Sequence, residues 1–357
     1  MKLSLNVLAP ALCCVLLSAC AHAGTSPLLP AQAGLLQSSS DRSAASPDRS
    51  AETIYVNTGA GVSVFDVTGK LLRTIKVVNA IGIQADSLNH VFISAGENAE
   101  GGNELYAYGN RGERLGRAVK HVSGGGTPLV TAADNIWVNC GLTKVCEYDS
   151  QPKEIISPHY DESIVTKGIY AVYIAIDRSG DLAVSSGNQN TYVFVFGSTK
   201  PYWKLAVTAP YTGAVAFDKA EDLFLSIGNP NGNSGNKIVA YAQKAQQPEL
   251  TLATPGNGFV TAMQFDKAGN LYALVSGTDP AVGVYPPNKT EPSYTISDGL
   301  SGLKNINMAV DQSGRVYVTG CSDSTACTLQ MYKPHATSPY ATVTQGIGEI
   351  PYVAASQ

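Results

Sequence analysis

The sequence predicts an all-β fold, a seven-bladed β-propeller whose ring is closed by the C-terminal strand. Three observations carry this reading. An aromatic recurs seven times, at Phe65, Tyr108, Tyr148, Phe196, Tyr241, Tyr285 and Tyr332, at intervals of 43, 40, 48, 45, 44 and 47 residues, and a strand-bearing period in the forties marks a radial β-repeat. Charged residues make up only 15% of the 357 residues, with 35 Gly and 18 Tyr, a mix suited to many short strands joined by tight turns. Finally, the first repeat lacks its first strand, and a spare strand follows the seventh.

The chain opens with Lys2 and an apolar run from Leu3 to Ala19, broken by Asn6 and Pro10. It is too short and interrupted to span a membrane and reads as a signal-peptide core within residues 1–23. It ends in Leu17-Ser18-Ala19-Cys20, which resembles the bacterial lipobox. That resemblance implies diacylation of Cys20 and lipid anchoring in the cell envelope, at the outer membrane in a Gram-negative cell because Ala21 follows. Two acyl chains, at about 0.8 kcal/mol per buried methylene, anchor stably. Cleavage after Ala21-His22-Ala23 is the alternative and would leave the protein secreted. Residues 24–50 are rich in Ser, Ala, Pro and Gln without an aromatic, and read as a disordered tether spanning roughly 30 Å as a flexible coil.

Residues 51–357 carry the repeat. Ile83-Gln84-Ala85-Asp86 leads into Val91-Phe92-Ile93, Ile174-Ala175-Ile176-Asp177 into Leu182-Ala183-Val184, and Val215-Ala216-Phe217-Asp218 into Leu223-Phe224-Leu225. Met263-Gln264-Phe265-Asp266 and Met308-Ala309-Val310-Asp311 do the same for Leu271 and Val316. The Asp side chain is suited to hydrogen-bonding its own turn, with Gly or Asn at a positive-φ position. In the third blade Thr131 stands where Asp is expected. The recurring aromatic lies on the third strand of each blade, as a wedge between neighbours rather than a ligand platform. Ile54-Tyr55-Val56 reads as a second strand, so 349–354 is expected to supply the missing first strand of blade one and remove the open edges.

Asp266-Lys267-Ala268-Gly269-Asn270-Leu271-Tyr272 and Asp311-Gln312-Ser313-Gly314-Arg315-Val316-Tyr317 resemble the repeat of the NHL and gluconolactonase-like propellers. No blade ends in Trp-Asp, as WD repeats do, and the diglycine of kelch repeats is absent. The motif is structural and does not by itself carry an activity.

The cysteines of the body fall into two pairs, Cys140 with Cys146 and Cys321 with Cys327, each bracketing the loop between the second and third strands of a blade. Antiparallel neighbours come within disulfide range and export favours oxidation, so two local staples are expected, worth about 2 kcal/mol each at best. A shared zinc site would require blades three and seven to converge.

Catalytic motifs are thin. No Gly-x-Ser-x-Gly, His-Glu-x-x-His, P-loop or calcium loop is present. A formal net charge of -4 and a pI near 5.7 disfavour nucleic acid as a partner. Propeller ligands sit at the axial mouth, where the loops into each first strand meet those between second and third strands. Asn98, His121, Asn188, Asn231 and Asn305 fall in these loops and are the candidate ligand face, with His121 the weak candidate for acid–base work. The expectation is a monomeric, extracytoplasmic scaffold that binds a protein, peptide or glycan without a cofactor or metal. The gluconolactonase resemblance implies the alternative, a lactonase or lyase holding calcium or another divalent cation. Against it, Gly82, Pro128, Gly213, Thr261 and Asn305 at the starts of the first strands include no carboxylate.

Overall fold

The computed structural model describes residues 52–58, 60–86, 88–96, 104–120, 127–130, 135–141, 144–149, 164–165, 173–185, 190–195, 198, 200–229, 235–256, 258–323, 326–348 and 351–356. They form seven four-stranded antiparallel sheets. From the axis outward, blade one is Val353–Ala355, Thr53–Asn57, Val62–Asp66 and Leu71–Ile75; blade two is Ala80–Ala85, Val91–Ala95, Glu104–Tyr108 and Arg114–Lys120. Blade three is Leu129–Val130, Asn135–Gly141, Lys144–Asp149 and Ile164–Val165; blade four is Tyr173–Ile176, Leu182–Ser185, Asn190–Phe194 and Pro201–Ala206. Blade five is Tyr211–Phe217, Leu223–Gly228, Lys237–Tyr241 and Leu250–Ala253; blade six is Phe259–Phe265, Leu271–Ser276, Ala281–Tyr285 and Tyr294–Ile296; blade seven is Lys304–Val310, Val316–Cys321, Cys327–Tyr332 and Ala341–Val343. Each innermost strand touches the next in an unbroken cycle, Val353–Ala355 lying between those of blades seven and two.

Ring closure follows the expected plan. Val353, Ala354 and Ala355 pair with Val56, Tyr55 and Ile54, so segments some 300 residues apart in sequence share one sheet and its inner edge is filled. The Thr53 amide donates to Ser356 Oγ at 2.8 Å and the Ser356 amide to the Thr53 carbonyl at 2.9 Å. Arg315 of blade seven forms an ion pair with Glu52 across the same seam.

Strand composition reflects position in the ring. Leu223–Gly228 and Val316–Cys321 are buried throughout, because both faces of an inner strand press on neighbouring blades. The outer strand Pro201–Ala206 buries only Trp203 and Leu205 fully, the alternation of a half-solvated strand. The third-strand aromatics pack as wedges. Phe65, Tyr285 and Tyr332 are fully buried; Tyr285 Oη donates to the Ala253 carbonyl of the preceding blade at 2.6 Å, and Tyr332 Oη to the Asp298 carbonyl at 2.7 Å. One position is corrected. In blade four the register-equivalent aromatic is Phe194, which faces Leu182 as Tyr241 faces Leu223; Phe196 lies outside the described residues. Residues 192, 194 and 196 are all aromatic and share one strand parity, so alternation alone does not choose among them.

The Asp turns form one end of the ring. In blades two, four, five and seven Oδ1 of Asp86, Asp177, Asp218 and Asp311 accepts amide hydrogens from the second and fourth residues onward at 2.7–3.0 Å; Asp266 accepts that of Asn270 at 2.9 Å. Asn89, Gly180, Gly269 and Gly314 take the left-handed position as expected, whereas blade five places Glu221 there at φ 67. Phenols tie neighbouring turns together. Tyr55 Oη donates to the Asn89 carbonyl of blade two at 3.3 Å, and Tyr272 Oη lies 3.2 Å from Asp266 Oδ2 and 3.4 Å from the Gly314 carbonyl oxygen of blade seven. In blade three, whose sequence carries Thr131 in place of Asp, the indole Nε1 of Trp137 is buried without a hydrogen-bond partner.

Candidate functional site

The opposite end of the ring, the mouth, holds the starts of the innermost strands and the ends of the second strands. Registers such as Ala80 with Ala95, Tyr211 with Gly228, Phe259 with Ser276 and Lys304 with Cys321 place them side by side. Here the inner ladders break. Register shifts fall between Ala80 and Gly82, Thr212 and Val215, Val260 and Ala262, and Lys304 and Asn307. Such bulges leave residues unpaired and re-aim side chains, and they gather at functional rims. The residues they free, Ile81, Gly213, Ala214, Thr261, Asn305 and Ile306, include no carboxylate.

A repeated clasp, which the sequence reading did not single out, holds this rim together. In blades one, four, five and seven the residue three places after the one that faces the third-strand aromatic is Asn57, Ser185, Ser226 or Thr319, and each reaches the innermost segment of the next blade. Asn57 Nδ2 donates to the Ala80 carbonyl, Ser185 Oγ to Thr212 Oγ1 at 2.8 Å, Ser226 Oγ to the Val260 carbonyl at 3.0 Å, and Thr319 Oγ1 to the Pro351 carbonyl. In blades two and six the clasp satisfies backbone acceptors beside the bulges, at Ala80 and Val260. In blade six Leu274 occupies the equivalent place, and the link to blade seven runs deeper. Gln264 Nε2 donates to the Val310 carbonyl at 2.9 Å while Oε1 accepts the Val310 amide at 2.8 Å. The signal was a Ser, Thr or Asn directly after three apolar residues of the second strand.

The clasping residues are buried and committed to structure, so ligand contact falls to others at this end. Val78, Tyr211, Lys237, Lys304 and Asn305 are exposed there. Four threonine hydroxyls at the same end, Thr127, Thr191, Thr261 and Thr328, are buried without a protein hydrogen-bond partner.

Of the sequence-predicted ligand face, Asn305 is placed. It sits in the bulge of blade seven, exposed, at φ 52, and its carbonyl accepts Asn307 Nδ2 at 3.4 Å. Asn98, His121, Asn188 and Asn231 lie outside the described residues, as does Cys20. Cys321 and Cys327 form the expected disulfide between directly opposed residues. Cys146 is disulfide-bonded as well, while Cys140 is described in its backbone alone. Among the described residues no group of three or more His, Cys, Asp or Glu side chains converges as a metal site, and no helix is long and apolar enough to cross a membrane.

Electrostatically the more perturbed end is that of the Asp turns. In blades two, six and seven the residue four places after the Asp meets its second carboxylate oxygen with a donor. His90 Nδ1 lies 2.8 Å, Asn270 Nδ2 2.8 Å and Arg315 Nη1 3.5 Å away. Blades four and five carry Asp181 and Asp222 instead. Burial, reinforced by Asp181 and Glu221, pushes the Asp177 carboxyl up to about 6; burial and Asp218 raise that of Asp222. The sequence matches no family model, and no curated protein is significantly similar to it.

Proposed function

We propose that this chain is a lipid-anchored extracytoplasmic scaffold that binds a protein, peptide or glycan through the mouth of its propeller. The observation that carries the reading is the bulged rim, where four inner strands release residues from their ladders without a carboxylate among them. A surface of exposed Tyr211, Lys237, Lys304 and Asn305 offers an aromatic face and hydrogen-bond groups, a combination suited to recognition. Attachment at Cys20 and the tether of residues 24–50 would present that surface outside the cytoplasm.

The test joins binding to chemistry. Purified protein is applied to peptide and glycan arrays, and assayed for bound metal and for turnover of lactones and esters. The reading expects array binding that Tyr211→Ala and Lys304→Ala weaken at least tenfold, with no turnover. Stoichiometric calcium together with lactone hydrolysis would overturn it in favour of an enzyme. Anchoring is checked separately by mass spectrometry of the mature N-terminus, where Cys20→Ala must abolish acylation.

A further inference from the structure

We propose that the Cys321–Cys327 disulfide is an oxidation-dependent latch on ring closure, beyond its role as a staple within one hairpin. Its loop is short, with a sequence separation of 6, so the entropy it removes from the unfolded chain is small. Its position is the informative feature. Both cysteines are buried, and they end the second strand and begin the third of blade seven, the blade against which the chain closes. Cys321 Sγ lies 4.0 Å from the Gly348 carbonyl oxygen. On its other side Gly348 abuts blade one, where a Cβ added to it would stand 2.1 Å from the Thr58 carbonyl oxygen. The chain at Gly348 is therefore held between the disulfide and the backbone of blade one, with no space for a side chain.

Three residues on, the Pro351 carbonyl accepts from Thr319 Oγ1, two residues before Cys321, and from Asn307 Nδ2 at 3.3 Å. The Tyr352 carbonyl then accepts the Asn57 amide at 2.9 Å, and pairing of Val353–Ala355 follows. The mouth end of the closing strand thus rests on 319–321 of blade seven, and the disulfide fixes the end of that stretch. Oxidation would proceed by exchange with a disulfide-bearing oxidant. One cysteine thiolate attacks the oxidant and forms a mixed disulfide. The second thiolate then displaces the oxidant as its dithiol. Two electrons and two protons leave the protein, and the Cys321–Cys327 bond forms. The bond thereby braces the seam at which Val353–Ala355 pair with blade one.

Hydrogen exchange on the full chain tests this. Oxidised protein is compared with protein refolded in dithiothreitol, and with the variant Cys321→Ala/Cys327→Ala kept oxidised so that the Cys146 disulfide persists. The latch predicts that seam amides, Asn57 and Ser356, exchange at least tenfold faster in both altered forms, while Leu225 of blade five and Met263 of blade six keep their protection. Unchanged seam protection would overturn the proposal. Equal loss in all blades would also overturn it, as would failure of the variant to fold, because the bond would then support the whole ring rather than its closure. Dithiothreitol added to folded oxidised protein gives a second reading that does not depend on refolding.

Discussion

Glu221 is the one residue in the five Asp turns with a large side chain at the left-handed position, and Ser179 Oγ donates to its Oε1 at 2.9 Å on an exposed surface. A Cβ in that conformation costs roughly 1–2 kcal/mol, and glycine removes the cost at some expense in chain entropy. Glu221→Gly is therefore expected to raise the unfolding free energy by roughly 0.5–1 kcal/mol, read from the denaturant midpoint at unchanged slope. Asp177 supplies a pH dependence. Its folded carboxyl titrates near 6 against an ordinary 3.8, so the folded state holds the proton more tightly than the unfolded chain does. Its stabilising contribution is complete below pH 3.8 and is lost as pH rises through about 6. Asp66 acts in the opposite sense, in a window below 3.8, because its bond from Thr68 lowers its pKa. Asp177→Asn keeps the oxygen that accepts the turn amides. Denaturation followed from pH 4 to 7 should show stability falling with pH in the wild type and a flatter profile in the variant; identical profiles would refute the assignment.

At the scale of elements, the strands and their turns were legible and the clasps were not. The Asp turns announce themselves because their bonds lie within five residues, as at Asp311 with Ser313 and Arg315. The clasps join residues that only the ring brings together, such as Ser226 and Val260, and no local pattern states that partnership. Phe194 was obscured for a related reason, since hairpin register, not alternation, decides which aromatic faces Leu182. The candidate site was the least legible, because its residues lie in loops where polar residues serve turns and ligands alike. Ser226→Ala should cost about 1–3 kcal/mol by leaving the buried Val260 carbonyl without its donor. Gly213→Ala should cost a similar amount. Its Cβ would lie 2.4 Å from Phe259 Cε1 and 2.5 Å from Ser226 Oγ, and overpacking of this kind costs about 1–3 kcal/mol. Urea denaturation of each variant checks both values.

For the whole molecule, closure unites the observations. The aromatic period set the number of blades, the missing first strand of blade one pointed to the C-terminus, and Val353–Ala355 fills that place. The ring separates two ends with different work. Asp turns and phenols stitch one end, while bulges and clasps shape the other into the rim proposed for recognition. A ring that lacks its last strand exposes the inner edge of blade one and the facing surface of blade seven, including Val56, Tyr317 and Leu329, which now share one core cluster. The most direct test of closure is equilibrium unfolding of residues 51–357 beside a chain ending at residue 345. Closure predicts a single cooperative transition for the longer chain, and aggregation or loss of cooperativity for the shorter. A truncated protein that unfolds in one transition at the same midpoint would contradict it.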